Sequence, residues 1–209
     1  MFPPLYAILD PSLTKEPVSF ARELAGAGVR LVQLRDKSSS ARKVFDASRE
    51  LIASLSPWGV RVVVNDRPDI AAMAGAAGVH VGQDDLPVEE SRRICGPSHW
   101  VGVSTHNLEQ LREADGTSAD YIAVGPIFAT STKQNPDPVV GIEFLREARA
   151  LTRKPLVAIG GITLESARDV FRAGADSVAV IRDLLLAKDP AARAREYLDV
   201  AERVRSTHI

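Results

Sequence analysis

The amino-acid sequence predicts a closed (β/α)8 barrel forming a single domain over residues 1–209. Three observations lead there. Short apolar runs alternate strictly with amphipathic stretches, which implies parallel strands joined by helical crossovers. There are eight of each, and the last helix reaches the final residues, which favours a closed barrel over a doubly wound sheet. The chain of 209 residues also lies near the lower bound of about 200 for such barrels, leaving no room for a second domain.

In chain order, the strand candidates are LYAILD (5–10), VRLVQLRD (29–36), RVVVND (61–66), GVHVG (78–82), HWVGVST (99–105), DYIAVGPI (120–127), PLVAIGG (155–161) and SVAVIRD (177–183). Helical patterns fill the gaps: Phe20–Ala27, Ala41–Leu55, Ala71–Ala76, Val88–Cys95, Leu108–Ala114, Glu143–Leu151, Leu164–Ala173 and Ala191–Val204. Ser39 or Ser40, Asn107 and Thr163 precede periodic runs as helix caps. Gly26, Gly28, Gly78 and Gly174 fall where a helix ends and the next strand begins. The Pro-rich stretch QNPDPVVG (134–141) reads as a loop between the sixth strand and its helix.

Composition bounds the function. With 26 Lys+Arg against 27 Asp+Glu and 45% hydrophobic residues, the chain is an ordinary globular protein. Balanced charge argues against nucleic acid or an anionic membrane as a bulk partner. No apolar run approaches the roughly 18–20 residues of a membrane span, and the opening MFPPLYAILD lacks the basic start of a signal peptide. A cytoplasmic location and small-molecule partners are expected, and a homo-oligomer is compatible with them. One cysteine, Cys95, allows neither an internal disulfide nor a cysteine-built zinc site, and it reads as a structural thiol.

In this fold the functional face is the C-terminal end of the strands, so polar residues there carry the most information. Side chains alternate along a strand, placing Gln33, Arg35 and Lys37 of QLRDK on one face. An amide and two cations at one mouth suit a phosphate or diphosphate, which Arg can grip bidentately; a solvated strand end is the alternative. The third strand ends in Asn65-Asp66, and the fourth runs into Asp84-Asp85. Carboxylates from neighbouring strand ends suit Mg²⁺, which takes few protein ligands and bridges to substrate phosphates. An Asp-Asp pair also serves as a turn or helix cap.

The fifth strand puts Ser104, Thr105 and His106 at the rim. Ser104 reads as a hydroxyl donor to phosphate, since no Gly-x-Ser-x-Gly elbow surrounds it. His80, inside the fourth strand, reads as a hydrogen-bonded core histidine, and His106 as a rim or capping residue. After the sixth strand, Thr130, Ser131, Thr132 and Lys133 form a loop suited to closing over an anion. The seventh strand ends in Gly160-Gly161, where backbone N–H groups can approach a phosphate and the following helix N-terminus adds its dipole. With Ile181-Arg182 after the eighth strand, this is a second anion pocket.

Taken in order, QLRDK, VNDRPDIA, GVHVGQDDLP, GVSTH, GPIFATSTK and AIGGIT resemble the motifs of the thiamine-phosphate synthase family nearly end to end. The resemblance implies a transferase that joins a hydroxymethylpyrimidine diphosphate to a thiazole phosphate, carboxylated or not, and releases diphosphate. It implies that Gln33, Arg35 and Lys37 grip the diphosphate substrate, with Asn65, Ser104 and Lys133 as further contacts. It makes Asp66 and Asp85 the Mg²⁺ carboxylates, with Asp84 as a neighbour, and casts Arg35, Lys37 and Lys133 as the catalytic cations. Thr130, Ser131 and Thr132 would meet the thiazole phosphate, and Gly161 with the Ile181-Arg182 backbone would hold its phosphoryl group. Arg182 departs from the family's pattern, since many relatives carry serine there.

Rival readings differ at identifiable positions. A thiazole tautomerase of the same fold would lack the QLRDK lysine and the paired aspartates, and would carry a histidine where this chain has Pro126. An isomerase of a phosphorylated sugar would use the carboxylates as an acid/base pair without metal. A non-catalytic ligand-binding regulator would lose a charge from the diphosphate grip, whereas all three grip residues are kept here.

Overall fold

The computed structural model describes residues 1–14, 16–130 and 137–207. Eight parallel strands close into a barrel in chain order: β1 (Leu5–Leu9), β2 (Leu31–Leu34), β3 (Arg61–Asn65), β4 (Gly78–Val81), β5 (Trp100–Thr105), β6 (Tyr121–Val124), β7 (Leu156–Ile159) and β8 (Ser177–Val180). Closure is completed by β8 pairing with β1, Leu5 opposite Val178. The helices between them are α1 (Pro17–Gly26), α2 (Ala41–Leu55), α3 (Pro68–Ala74), α4 (Val88–Cys95), α5 (Leu108–Asp115), α6 (Gly141–Leu151) and α7 (Leu164–Arg172). The expected barrel is therefore present. Among the described residues the alternation departs at two places: a 3-10 turn (Ser56–Trp58) follows α2, and a short helix α8 (Arg182–Leu185) leaves β8 directly, before the long closing helix α9 (Pro190–Ser206).

Local chemistry explains the helix starts. Proline occupies the first turn of α1, α3 and α9, where its missing N–H costs nothing. Asn107 caps α5 by accepting from the Gln110 N–H at 2.9 Å, and Asp189 caps α9 through Ala192 at 2.8 Å. Thr163 and Ser166 cap one another's backbone at the start of α7.

Two apolar layers hold the barrel. The larger lies between strands and helices and includes Leu9, Leu34, Val64, Val79, Val101, Ile122, Leu156 and Val178. The smaller fills the barrel's interior with Tyr6, Ile8, Leu31, Val63, Tyr121, Ala123, Val157 and Ala179. Phe2 closes the base, its ring 5.3 Å from Trp100 and 5.1 Å from Tyr121. Gly102 on β5 is what admits Tyr121: a Cβ there would stand 2.0 Å from the Tyr121 ring. With the base filled by aromatic rings, the free space lies at the C-terminal ends of the strands. Among the described residues, no helix is long and apolar enough to cross a membrane. Cys95 is buried at the end of α4, and burial pushes its thiol pKa up, as fits a structural role.

Candidate active site

A cavity of about 990 Å³ occupies the mouth of the barrel. Gln33, Arg35, Lys37, Asn65, Asp66, Asp84, Asp85, Ser104, Thr130, Gly161, Ile181 and Arg182 all line it. The alternation of β2 projects Gln33 inward beside Leu31, and the strand's extension carries Arg35 and Lys37 up the same wall. Ser131, Thr132 and Lys133, expected in the closing loop, lie outside the described residues.

Both cations of the β2 end are paired with carboxylates. The Arg35 guanidinium donates to Asp10 Oδ2 at 2.7 Å, and Asp10 is itself held by the Ser12 N–H and hydroxyl. Lys37 Nζ lies 3.0 Å from Asp66 Oδ2. Asp66 has a left-handed backbone, φ 61°, uncommon for a residue other than glycine, and its N–H is pinned to the His80 carbonyl at 2.8 Å. Asp85 Oδ2 accepts the Gly82 N–H at 2.7 Å. Burial pushes the Asp66 carboxyl above the usual carboxylate range; the Lys37 ammonium opposes this, while the facing Asp85 carboxyl adds to it.

That crowding tests the fit of a divalent cation. With the Asp85 carboxyl close enough to raise the cost of ionising Asp66, and cavity space beside them, the pair forms a site that a cation would relieve. Among the described residues, no group of three or more His, Cys, Asp or Glu is gathered for an all-protein metal cage. Two carboxylates and an open side suit Mg²⁺, which keeps waters and phosphate oxygens as its remaining ligands.

Below this wall a chain of polar groups crosses the barrel interior. Gln33 Nε2 donates to the Tyr6 hydroxyl at 2.8 Å, and the Tyr6 and Tyr121 hydroxyls are 3.0 Å apart. Tyr121 Oη meets His80 Nδ1 at 3.1 Å, and His80 Nε2 meets Ser104 Oγ at 2.8 Å. The expected core histidine is thus confirmed, with its ring stacked on Tyr121. Burial pushes its pKa down to about 4, so His80 is neutral at pH 7. Gln83 Nε2 also donates to the Ser104 carbonyl at 2.6 Å, fixing that strand end.

The β7–β8 wall is made largely of backbone. Gly160 and Gly161 have φ of 97° and 62°. A Cβ on Gly161 would lie 2.4 Å from the Ala129 carbonyl oxygen, so the turn packs directly against the segment after β6. Ile181 and the exposed Arg182 follow β8. The expected contribution of the helix following β7 is modified: α7 satisfies its own first turn through Thr163 and Ser166, with Glu165 in that turn. His106, as expected, is a rim residue, its Nδ1 2.6 Å from the Gly125 carbonyl.

Sequence reasoning missed Asp10, Tyr6 and Tyr121. Asp10 carried the same signal as Asp66 and Asp85, an acidic residue just past an apolar strand. The tyrosines sat within apolar strand runs, where nothing singled out their hydroxyls. Their hydroxyls face one another only because β1 and β6 meet across the closed barrel.

Comparisons with known proteins point to one family. The family model described as thiamine monophosphate synthase matches residues 5–184. The chain is 55% identical over 205 residues to a thiamine-phosphate synthase of Koribacter versatilis, covering 95% of each chain. It is 40% identical over 200 residues to one from Shouchella clausii, covering 95% of this chain and 96% of the relative. A solved structure of thiamine phosphate pyrophosphorylase from Pyrococcus furiosus superposes with a TM-score of 0.88 at 33% identity over 96% of each chain.

Proposed function

The chain belongs to the thiamine monophosphate synthase family, transferases of thiamine biosynthesis, and from that premise we propose how its own residues divide the reaction. The pyrimidine diphosphate lies against the β2–β4 wall and the thiazole phosphate against the β7–β8 turn. The thiazole nitrogen attacks the pyrimidine methylene carbon, the carbon–oxygen bond breaks, and diphosphate leaves. One observation carries this reading: Arg35, Lys37, Asp66 and Asp85 from neighbouring strand ends line one side of a cavity whose other side holds Gly161 and Arg182.

Breaking the carbon–oxygen bond leaves a pyrimidine-stabilised cation and builds negative charge on diphosphate. Arg35 and Lys37 supply preorganised positive charge where that charge grows. Asp10 holds the Arg35 guanidinium in place. Asp66 and Asp85 would hold Mg²⁺, which neutralises part of the leaving-group charge when bound. Gly161 and the Ile181-Arg182 backbone position the thiazole phosphate, so its nitrogen needs only to be held close; no general base is required. Lys133, Ser131 and Thr132 enter on the strength of the GPIFATSTK motif alone. A cytoplasmic location and small-molecule partners belong to the same proposal.

The test is synthesis of thiamine phosphate from both substrates over a range of Mg²⁺ concentrations. Activity should depend on Mg²⁺, and Asp85→Ala should reduce kcat/KM by about 100-fold or more, the scale of losing a transition-state charge contact. Full activity of that variant at limiting Mg²⁺ would remove Asp85 from the metal site.

A further inference from the structure

The interior chain Gln33–Tyr6–Tyr121–His80–Ser104 has a direction. Each phenol carries one proton, and a neutral imidazole carries one on either nitrogen. If Gln33 donates to Tyr6, as its Nε2 does at 2.8 Å, Tyr6 must donate to Tyr121. Tyr121 must then donate to His80 Nδ1, so the imidazole proton sits on Nε2 and is donated to Ser104 Oγ. The Ser104 proton is left to point into the cavity. Reversing any one link leaves a buried group without its partner, at a cost of about 1–3 kcal/mol. Gln33, Tyr6, Tyr121 and His80 are all 6% exposed or less, so water does not offset that loss. Two defect-free arrangements therefore exist: the one described, and its complete reversal with the Gln33 amide turned over.

We infer that Tyr6, Tyr121 and His80 are positioning residues that set Ser104 as a hydrogen-bond donor and the Gln33 carbonyl as an acceptor, at two separate points of the substrate site. The inference rests on the synthase reading only in naming the ligand. The wall bearing Gln33 and Ser104 receives a substrate that presents an N–H to Gln33 and an oxygen or nitrogen lone pair to Ser104, as an aminopyrimidine diphosphate does. The two ends are coupled, since neither can change polarity unless the whole chain reverses. A substrate of opposite polarity at either end would have to reverse four hydrogen bonds.

The first test needs no ligand. In protein labelled with ¹⁵N-histidine, long-range ¹H–¹⁵N spectra report which imidazole nitrogen carries the proton, and His80→Gln identifies the His80 signal by its loss. A neutral ring protonated at Nε2 is expected. Protonation at Nδ1, or an average of the two tautomers, would overturn the inference. The second test is kinetic. Tyr121→Phe keeps the ring but frees the tautomer, and should raise the KM for the pyrimidine diphosphate about three- to tenfold, the worth of one hydrogen bond, leaving the KM for thiazole phosphate unchanged. In His80→Gln the amide can donate to Ser104 without Tyr121, so the same substitution in that background should cost less than about twofold. An equal penalty in both backgrounds would mean that Tyr121 acts through packing alone, and would overturn the relay. Lack of turnover by the unsubstituted protein would count against the synthase reading, leaving the tautomer measurement to decide on the relay.

Discussion

The β1–β5 wall and the β7–β8 wall each face the same cavity, and each is assigned a phosphoryl group, yet they are built from different material. The first wall presents side chains tied down within the protein: Arg35 by Asp10, Lys37 by Asp66 and Asp85 by the Gly82 amide. On the second, Gly160 and Gly161 bring the backbone itself to the cavity, with the Gly161 Cα packed against the Ala129 carbonyl. Under the proposed function, the difference follows from the task. A departing diphosphate gains charge during the reaction and calls for full positive charges and a cation. A phosphate monoester that keeps its charge needs only a fixed seat, which amides provide without the entropy of ordering long side chains.

The sharpest way to break this contrast is Gly161→Ala. The glycine has φ 62°, where an L side chain is strained, and its Cβ would press on a carbonyl 2.4 Å away. Strain of this kind is on the order of 1–3 kcal/mol, so kcat/KM for the thiazole phosphate should fall about 10- to 100-fold. The KM for the pyrimidine diphosphate should stay near its original value. Steady-state kinetics with each substrate varied in turn separates the two, and equal damage to both KM values would mean that the walls are not independent.

A smaller effect, on stability, tests the other wall. Burial and the neighbouring Asp85 raise the Asp66 carboxyl pKa against the pull of Lys37. A carboxyl with a raised folded pKa holds its proton more tightly in the native state than when unfolded. Its contribution is fully present at low pH and is lost as pH rises through the folded value. At neutral pH without Mg²⁺, ionised Asp66 therefore destabilises the fold. Asp66→Asn removes that repulsion and places a residue tolerant of left-handed φ at 61°. A Tm increase of about 1–4 °C is expected, the scale of roughly 0.5–1 kcal/mol in a chain of this size, together with loss of activity. Calorimetry at neutral pH in chelator checks it; an unchanged or lower Tm would mean that the Lys37 pair outweighs the crowding. Such a trade of stability for function is common at active sites.

This contrast also explains what could be read from the sequence. The barrel was legible because eight short apolar runs in strict alternation with amphipathic stretches leave few topologies open, and the side-chain wall because Gln33, Arg35 and Lys37 alternate along one strand and its extension. The backbone wall was visible only through its place in the strand order, since a Gly-Gly pair alone says little. His80 was read as a hydrogen-bonded core histidine without its partners, and Tyr6 and Tyr121 were visible only as members of apolar strand runs. Their polar atoms meet across strands far apart in sequence, 115 residues in the case of the two tyrosines, and no local pattern encodes that meeting. The short α8 was missed because four residues carry too little periodicity to show.

Arg182 provides the finest probe of the comparison, because it is a long cationic side chain on the wall otherwise made of backbone. It begins α8 and is exposed at the cavity's edge. Strand β8 lies beside β1 and β7 in the closed ring, across the mouth from the β3–β4 ends that carry Asp66 and Asp85, and the proposed function assigns the Arg182 guanidinium to the thiazole phosphate or to solvent. If the backbone holds that phosphate, the side chain adds only an exposed charge contact, typically worth about 0.2–1 kcal/mol and screened by salt. Arg182→Ala should therefore raise the KM for thiazole phosphate less than about fivefold at low ionic strength. At high ionic strength the change should shrink towards none, while the KM for the pyrimidine diphosphate is unaffected at either. A tenfold or greater loss that persists in salt would show that this wall, like its counterpart, depends on a desolvated side-chain charge.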